Sequence, residues 1–272
     1  AYRPNFEVYL QFDSLEAGPQ IELRGADLRE VRRKALERLD ALEISTTLVV
    51  TLKKGLNDHE VGPIVDHALE HPCCRGVTFQ PIQDAGRAEG FDPATDRLTL
   101  TEVRRAILEQ TTHFRPEDVV PVPCHPDNLA MAYCLRTDGR VVPLTGFIDP
   151  SVLIDAGRNT IVFEQDHGLH DGLFRLYSTG HSPESRAASL KELLCCLPAV
   201  QVPEGLGYEN VFRVLVVSFL DAHSFDVRSV KKSCIHIAHP DGRLIPFDTY
   251  NLFYRDDLER TRLDPLRVAA AS

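Results

Sequence analysis

No stretch of this chain approaches the ~20 consecutive apolar residues of a membrane-spanning helix, and no secretory leader is visible. A protein without membrane partners is expected, and the cytoplasm is its expected compartment. Runs of basic residues are equally lacking. With 30 Lys and Arg against 40 Asp and Glu, the formal charge is −10, the wrong sign for neutralising phosphates, so nucleic-acid binding is not expected. There is no Walker loop, dinucleotide fingerprint or nucleophile elbow. Methionine occurs once, as Met131, and the sequence opens on Ala1. The seven cysteines are an odd number and include two adjacent pairs, unlike a secreted disulfide framework, so a reducing compartment is expected.

What is present is ordinary for a globular chain, with 43% hydrophobic and 26% charged residues over 272 positions. That length carries one large domain or two smaller ones, and two are expected, 1–120 and 121–272. The first half alternates strand and helix signals. Val8 to Phe12 is a short apolar strand, and Asp27 to Leu42 carries Leu28, Val31, Ala35, Leu39 and Leu42 at helical spacing. Thr46 to Leu52 is β-branched and bounded by Gly55 and Asn57, and Asp58 to His71 reads as a helix with Asp58 as its cap. Gly76 to Ile82 is a third strand, followed by a loop from Asp84 to Asp96 and a helix from Thr101 to Thr111. Strands alternating with helices predict a parallel sheet with right-handed crossovers. The expected fold class is therefore α/β, a partial TIM-type barrel of parallel strands followed by a smaller α+β C-terminal domain. A half barrel leaves a strand edge open, which a second copy, another segment or the C-terminal region has to cover.

Three blocks carry a family resemblance: VYLQFDSL (Val8 to Leu15), ELRGADL (Glu22 to Leu28) and TTLVVTLKKGLNDHEVG (Thr46 to Gly62). In this order, with short gaps, they resemble the barrel of the radical SAM superfamily, most closely the branch of the molybdenum-cofactor cyclase and the tetraether-lipid-synthase-like proteins. The resemblance covers roughly residues 6 to 150 and is weaker beyond. It implies S-adenosylmethionine and a [4Fe–4S] cluster as cofactors of the intact protein and a small molecule as substrate. The CxxxCxxC triad of that superfamily is absent, since no three of Cys73, Cys74, Cys124, Cys134, Cys195, Cys196 and Cys234 have its spacing. The expectation is a C-terminal portion of a radical SAM enzyme that lacks the segment with the triad and is inactive by itself. The alternatives are a degenerate barrel that binds a small molecule or a partner, and an auxiliary metal-binding module.

Barrel enzymes place their sites at the C-terminal ends of the strands, and by resemblance the cofactor-binding candidates are Gln11, Asp13, Thr51, Lys53 and Gln80, with Gln83 beside them. Gln11 stands where the molybdenum-cofactor branch has a small hydroxyl residue. Plainer roles compete: a turn for Asp13, β propensity for Thr51, helix capping for Asn57, Asp58 and Glu60. Arg24 and Gly25 either bind a carboxylate or shape a turn.

After Pro121 the pattern changes. PVPCHPDNLAMAY (Pro121 to Tyr133) brings a thiol, an imidazole and a carboxylate together, so Cys124, His125 and Asp127 read either as iron or zinc ligands or as a tight turn. Cys195, Cys196 and Cys234 are further metal candidates, against the commoner role of a buried thiol. The segment Lys232 to Asn251 resembles the C-terminal end of tetraether-synthase-like proteins, some of which carry a cysteine after Pro-Phe where this chain has Asp248; the change speaks against a complete all-cysteine set and leaves Cys234, His236 and the Cys195-Cys196 pair as ligands that could converge with it. DHGLHDG (Asp166 to Gly172) reads as a polar loop before it reads as an acid-base site. Phe212 to Leu220 is a buried strand, and Ser233 to Phe247 is a hairpin turning at His239 to Gly242.

Overall fold

The computed structural model describes residues 6–84, 90–122, 125–137, 140–146, 150, 210–233 and 235–255. Three strand-helix units open the chain. Strand β1 (Glu7–Gln11) leads into helices α1 (Ala17–Arg24) and α2 (Arg29–Ala41). Strand β2 (Ser45–Leu52) leads through a 3-10 turn (Asp58–Glu60) into α3 (Val61–Glu70), and β3 (Cys74–Pro81) leads towards α4 (Leu100–Gln110). The short strand β4 (Val120–Pro121), β5 (Leu129–Thr137), β6 (Arg140–Pro143) and β7 (Val211–Val217) follow. They form one sheet in the order β1-β2-β3-β7-β5-β4, with β6 on β5. The first four strands in that order are parallel, and β5 is antiparallel to β7, as β4 and β6 are to β5. The architecture is thus the α/β one expected, a largely parallel partial-barrel sheet with helices and a small antiparallel sheet elsewhere. The far edge of β3, which three units alone leave open, is covered by β7 and then β5, both from the second half of the sequence.

Two compact units emerge. One is Ala1–Pro81 with Leu98–Ser218, the other Ile82–Arg97 with Phe219–Ser272. The second holds the expected hairpin, β8 (His236–Ala238) with β9 (Leu244–Pro246), and the short helices α5 (Val227–Val230) and α6 (Phe247–Phe253). It is organised by two buried carboxylates. Asp221 accepts from the backbone N–H groups of Asp84 (2.9 Å), His223 (3.0 Å) and Ser224 (3.1 Å) and is bridged by Arg97, while Asp248 accepts from the Leu220 N–H (2.7 Å). Asp248 therefore has a structural use in this chain.

In the first unit the two faces of the sheet differ in chemistry because side chains alternate along each strand. Leu48, Val50, Leu52, Val77, Phe79, Phe212, Val214 and Val216 face the helices and form the core with Leu36, Ile64, Val65, Ala68, Val103 and Ile107. The register aligns Tyr9, Thr47, Gly76, Arg213 and Tyr133 on the opposite face. There the Arg213 guanidinium donates to Glu7 Oε1 (2.6 Å), Thr47 Oγ1 (3.2 Å) and the Tyr9 hydroxyl (3.4 Å). Charge at this depth persists because it is paired.

Two sequence expectations need correction. The apolar stripe of α2 does not run through Val31 and Leu42, which are exposed; its buried residues are Arg32 and Leu36. Arg32 takes an inward position because its charge is paired on that side, and a search for apolar periodicity passes over it. The helix after β2 is split, and α3 begins at Val61 with no side-chain cap.

Gly76 is fixed by Arg213. A Cβ at position 76 would lie 2.3 Å from the Arg213 carbonyl oxygen and 2.6 Å from its Cγ. Gly76→Ala is expected to lower unfolding free energy by about 2 kcal/mol, read as a reduced urea midpoint. An unchanged midpoint would mean that β7 stands further from β3 than described.

Candidate functional site

The C-terminal ends of β1 and β2 converge on one carboxylate. Asp13, fully buried, follows β1 with φ 65°, the left-handed conformation that Asp tolerates better than most residues. Its Oδ2 accepts from Arg24 Nε (2.7 Å) and from Arg32 (3.1 Å), and its Oδ1 accepts from Arg24 (2.8 Å), Gln11 Nε2 (2.7 Å) and the Thr51 backbone N–H (3.1 Å). Arg24 also donates to Thr51 Oγ1 (2.9 Å), as does Gln11 Nε2 (3.3 Å). Gln11, Asp13 and Thr51, drawn from two strands, thus form one network, closed by an arginine from the end of α1.

Local sequence explains the geometry. Helix α1 stops at Arg24 because Gly25 takes φ 78° and returns its N–H to the Ile21 carbonyl (2.8 Å), so the last side chain of the helix lies over the strand ends. Asn57 and Glu60, expected as helix caps, are used differently. Asn57 Nδ2 donates to the carbonyls of Asp13 (2.9 Å) and Thr51 (2.8 Å), and its Oδ1 accepts from the Lys53 N–H (2.9 Å). Glu60 accepts from the Ser14 hydroxyl and the Leu15 N–H (2.8 Å). The Lys-Gly-x-Asn-Asp-x-Glu segment therefore ties the turn after β1 to the turn after β2.

Burial alone would raise the Asp13 pKa. The hydrogen bonds and charge of Arg24, the Thr51 N–H and Gln11 outweigh it and hold the carboxyl below the ordinary Asp value. The same pairing raises Arg24, whereas burial lowers Arg32. The two arginines differ in access, with the Arg24 side chain 32% exposed and that of Arg32 only 7%. Lys53 pairs with Glu22 (2.8 Å), and Gln80 is half-buried beside Thr51 in the register of β2 and β3.

Of the metal candidates, Cys124, Cys195, Cys196 and Cys234 lie outside the described residues, as does the Asp166 to Gly172 loop. His125 is buried in a turn before β5, its N–H bonded to the Val122 carbonyl (3.0 Å) and its carbonyl accepting from Asn128 (3.2 Å) and Leu129 (3.0 Å). Among the described residues no group of three His, Cys, Asp or Glu side chains is arranged to hold a metal. The described cysteines do not fit an iron-sulfur cluster either. Cys73 and Cys74 sit at the N-terminal end of β3, away from the Asp13 end of the sheet, and Cys134 lies within β5; all three are in the apolar core. The hydrogen bond shared with Cys73, together with burial, pushes the Cys74 thiol far up, and burial does the same to Cys134. Among the described residues no helix is long and apolar enough to cross a membrane.

No family model matches the chain. It is similar to the 7,8-dihydro-6-hydroxymethylpterin dimethyltransferase of Methanocaldococcus jannaschii, 29% identical over 297 aligned positions that take in 95% of this chain and 58% of that protein. The chain thus spans less than two thirds of the length of this curated relative.

Arg32, Gln20, Asn57 and Glu60 also belong to the network, although none of them lies at a strand end in the sequence. Replacing Asp13 by Asn keeps a residue that accepts positive φ but removes the charge both guanidiniums share, so a loss of about 3 kcal/mol at neutral pH is expected. Because folding depresses the Asp13 pKa, its contribution is complete above the ordinary Asp value of ~3.9 and is lost as pH falls through the lower folded value. Urea midpoints of wild type and Asp13→Asn are therefore expected to differ most near pH 7 and to converge as pH falls below the ordinary Asp value and through the lower folded one.

Proposed function

We propose that this chain is the C-terminal portion of a cytoplasmic radical SAM enzyme, contributing the surface that holds S-adenosylmethionine and substrate, with the cluster-bearing triad on a segment outside this chain. The observation that carries the reading is the Asp13 network at the C-terminal ends of parallel strands, the end at which α/β barrels build their sites. The likeness to a pterin dimethyltransferase along 95% of the chain supports it and makes a pterin the first substrate to test. A cluster, where bound, supplies the electron that cleaves S-adenosylmethionine, chemistry that belongs to the cofactor and not to these residues.

This chain's own contribution is binding. Arg24, a third exposed, presents a planar fork suited to a carboxylate such as that of the methionine moiety, and without ligand that fork rests on Asp13. Lys53 and Gln80 offer a further cation and an amide at the neighbouring strand ends.

Isothermal titration of the chain with S-adenosylmethionine is expected to show saturable one-to-one binding. Arg24→Gln is expected to weaken it at least about tenfold, since a hydrogen bond to a charged group is worth about 1.5–3 kcal/mol. Arg32 stays on Asp13 in that variant, so the fold is kept. Binding that Arg24→Gln leaves unchanged, or no binding at all, would reject this reading in favour of a barrel-like scaffold whose Asp13 network is purely internal. A pterin titrated in parallel distinguishes a substrate-only surface from a cofactor-binding one.

A further inference from the structure

Two arginines share one carboxylate, and they are not equivalent. Arg24 comes from the helix end and reaches solvent; Arg32 comes from the inward face of α2 and is sealed in. Besides Asp13 Oδ2, the guanidinium of Arg32 donates to Gln20 Oε1. Gln20 is itself fully buried, and its Nε2 donates to the Phe12 carbonyl (3.0 Å) and the Ser14 carbonyl (2.6 Å), the two residues flanking Asp13. The left-handed turn at Asp13 is therefore gripped from behind by a Gln20 and Arg32 pair that faces away from the open side of the network.

We infer that Arg32, oriented by Gln20, is a positioning residue: it keeps Asp13 charged and in place independently of Arg24, so that Arg24 is free to turn from Asp13 and Thr51 to an incoming anion. A buried carboxylate with a single cation would not release it, because the uncompensated charge left behind costs more than an exposed contact returns. With a second cation in place that cost is removed, and Arg24 becomes the exchangeable partner. The inference deepens the proposed anion-binding role of Arg24 and rests on it.

The test is an arginine-for-arginine comparison on the full chain with two separate readouts. The first is affinity for S-adenosylmethionine by calorimetry. The second needs no ligand: the rate at which phenylglyoxal, an arginine reagent, modifies Arg24, followed by peptide mass spectrometry. Arg32→Met leaves Arg24 as the sole cation on Asp13, so Arg24 modification is expected to slow and affinity to fall about tenfold, the fraction of competent Arg24 having dropped by that factor. Arg32→Lys restores the charge and is expected to recover both readouts to within about threefold of wild type, short of full recovery because an ammonium cannot serve Asp13 and Gln20 with one planar fork. Faster modification of Arg24 in a folded Arg32→Met protein, or unchanged affinity together with unchanged modification, would overturn the inference. If Arg32→Met does not fold, Gln20→Met decides it: it removes the partner that orients Arg32 and is expected to slow Arg24 modification by a smaller factor, and no shift rejects the idea. Should wild type not bind S-adenosylmethionine, the proposed function fails, while the modification rates still decide whether Arg32 governs the freedom of Arg24.

Discussion

The first unit is organised around a carboxylate that the fold has removed from water. Asp13 is fully buried at a strand end, and an isolated ionised carboxylate there would be too costly to retain. Its ionisation is sustained by donors from four places: Arg24 at the end of α1, Arg32 on α2, the Thr51 N–H at the end of β2, and Gln11 on β1. Each donor pins an element. The stop at Gly25, the rotation of α2 that brings Arg32 inwards, and the alignment of β1 with β2 all satisfy the same oxygen pair. Asn57 and Glu60 extend the arrangement by binding the turn after β1 to the segment after β2.

A second consequence concerns the division of the sheet into two chemistries. The helix-packed face is a close-packed hydrocarbon core, and the opposite face carries Tyr9, Thr47 and Arg213 in one register row, with Gln11, Thr51 and Gln80 nearer the C-terminal ends. Gly76 is small because the Arg213 backbone and stem pass over it. The polar face is thus closed by a paired ion cluster towards its N-terminal end, leaving the C-terminal rim as the end where partly exposed polar groups gather. That asymmetry, more than any single residue, is why the proposed binding role is assigned to the C-terminal rim.

The class of fold was legible because β2 is a short run rich in β-branched residues, β3 alternates Val77 and Phe79 with Thr78 and Gln80, and a helical periodicity follows each. Helix α1 was not, since Gly18 and Pro19 interrupt it and its apolar content is low; its role is set by where its last residue points. Nor was the inward face of α2 legible, because a paired arginine occupies a position that periodicity assigns to hydrocarbon. Strand β5 lay hidden behind a proline-rich start and is held mainly by pairing with β7, far away in sequence. Gln11, Asp13 and Thr51 were recognisable as strand-end polar residues, but their convergence, and the pairing of Asp13 with both Arg24 and Arg32, exist only once the strands are in register.

That convergence has an energetic implication for any ligand. Gln11, Asp13, Thr51 and Arg24 already satisfy one another, so a bound molecule has to replace protein hydrogen bonds and not merely add to them. A neutral ligand exchanging one hydrogen bond for another gains little, because each is worth only about 0.5–1.5 kcal/mol net. An anion differs: its bond to a guanidinium is charge-assisted, and Arg24 gives up a carboxylate that Arg32 continues to neutralise. In the proposed role the network would therefore discriminate by charge before shape, favouring molecules that bring their own carboxylate or phosphate to the rim. Polar groups without charge, such as the amide edge of a heterocycle, are better served by Gln80, which lies at the next strand end and outside the Asp13 hydrogen-bond set.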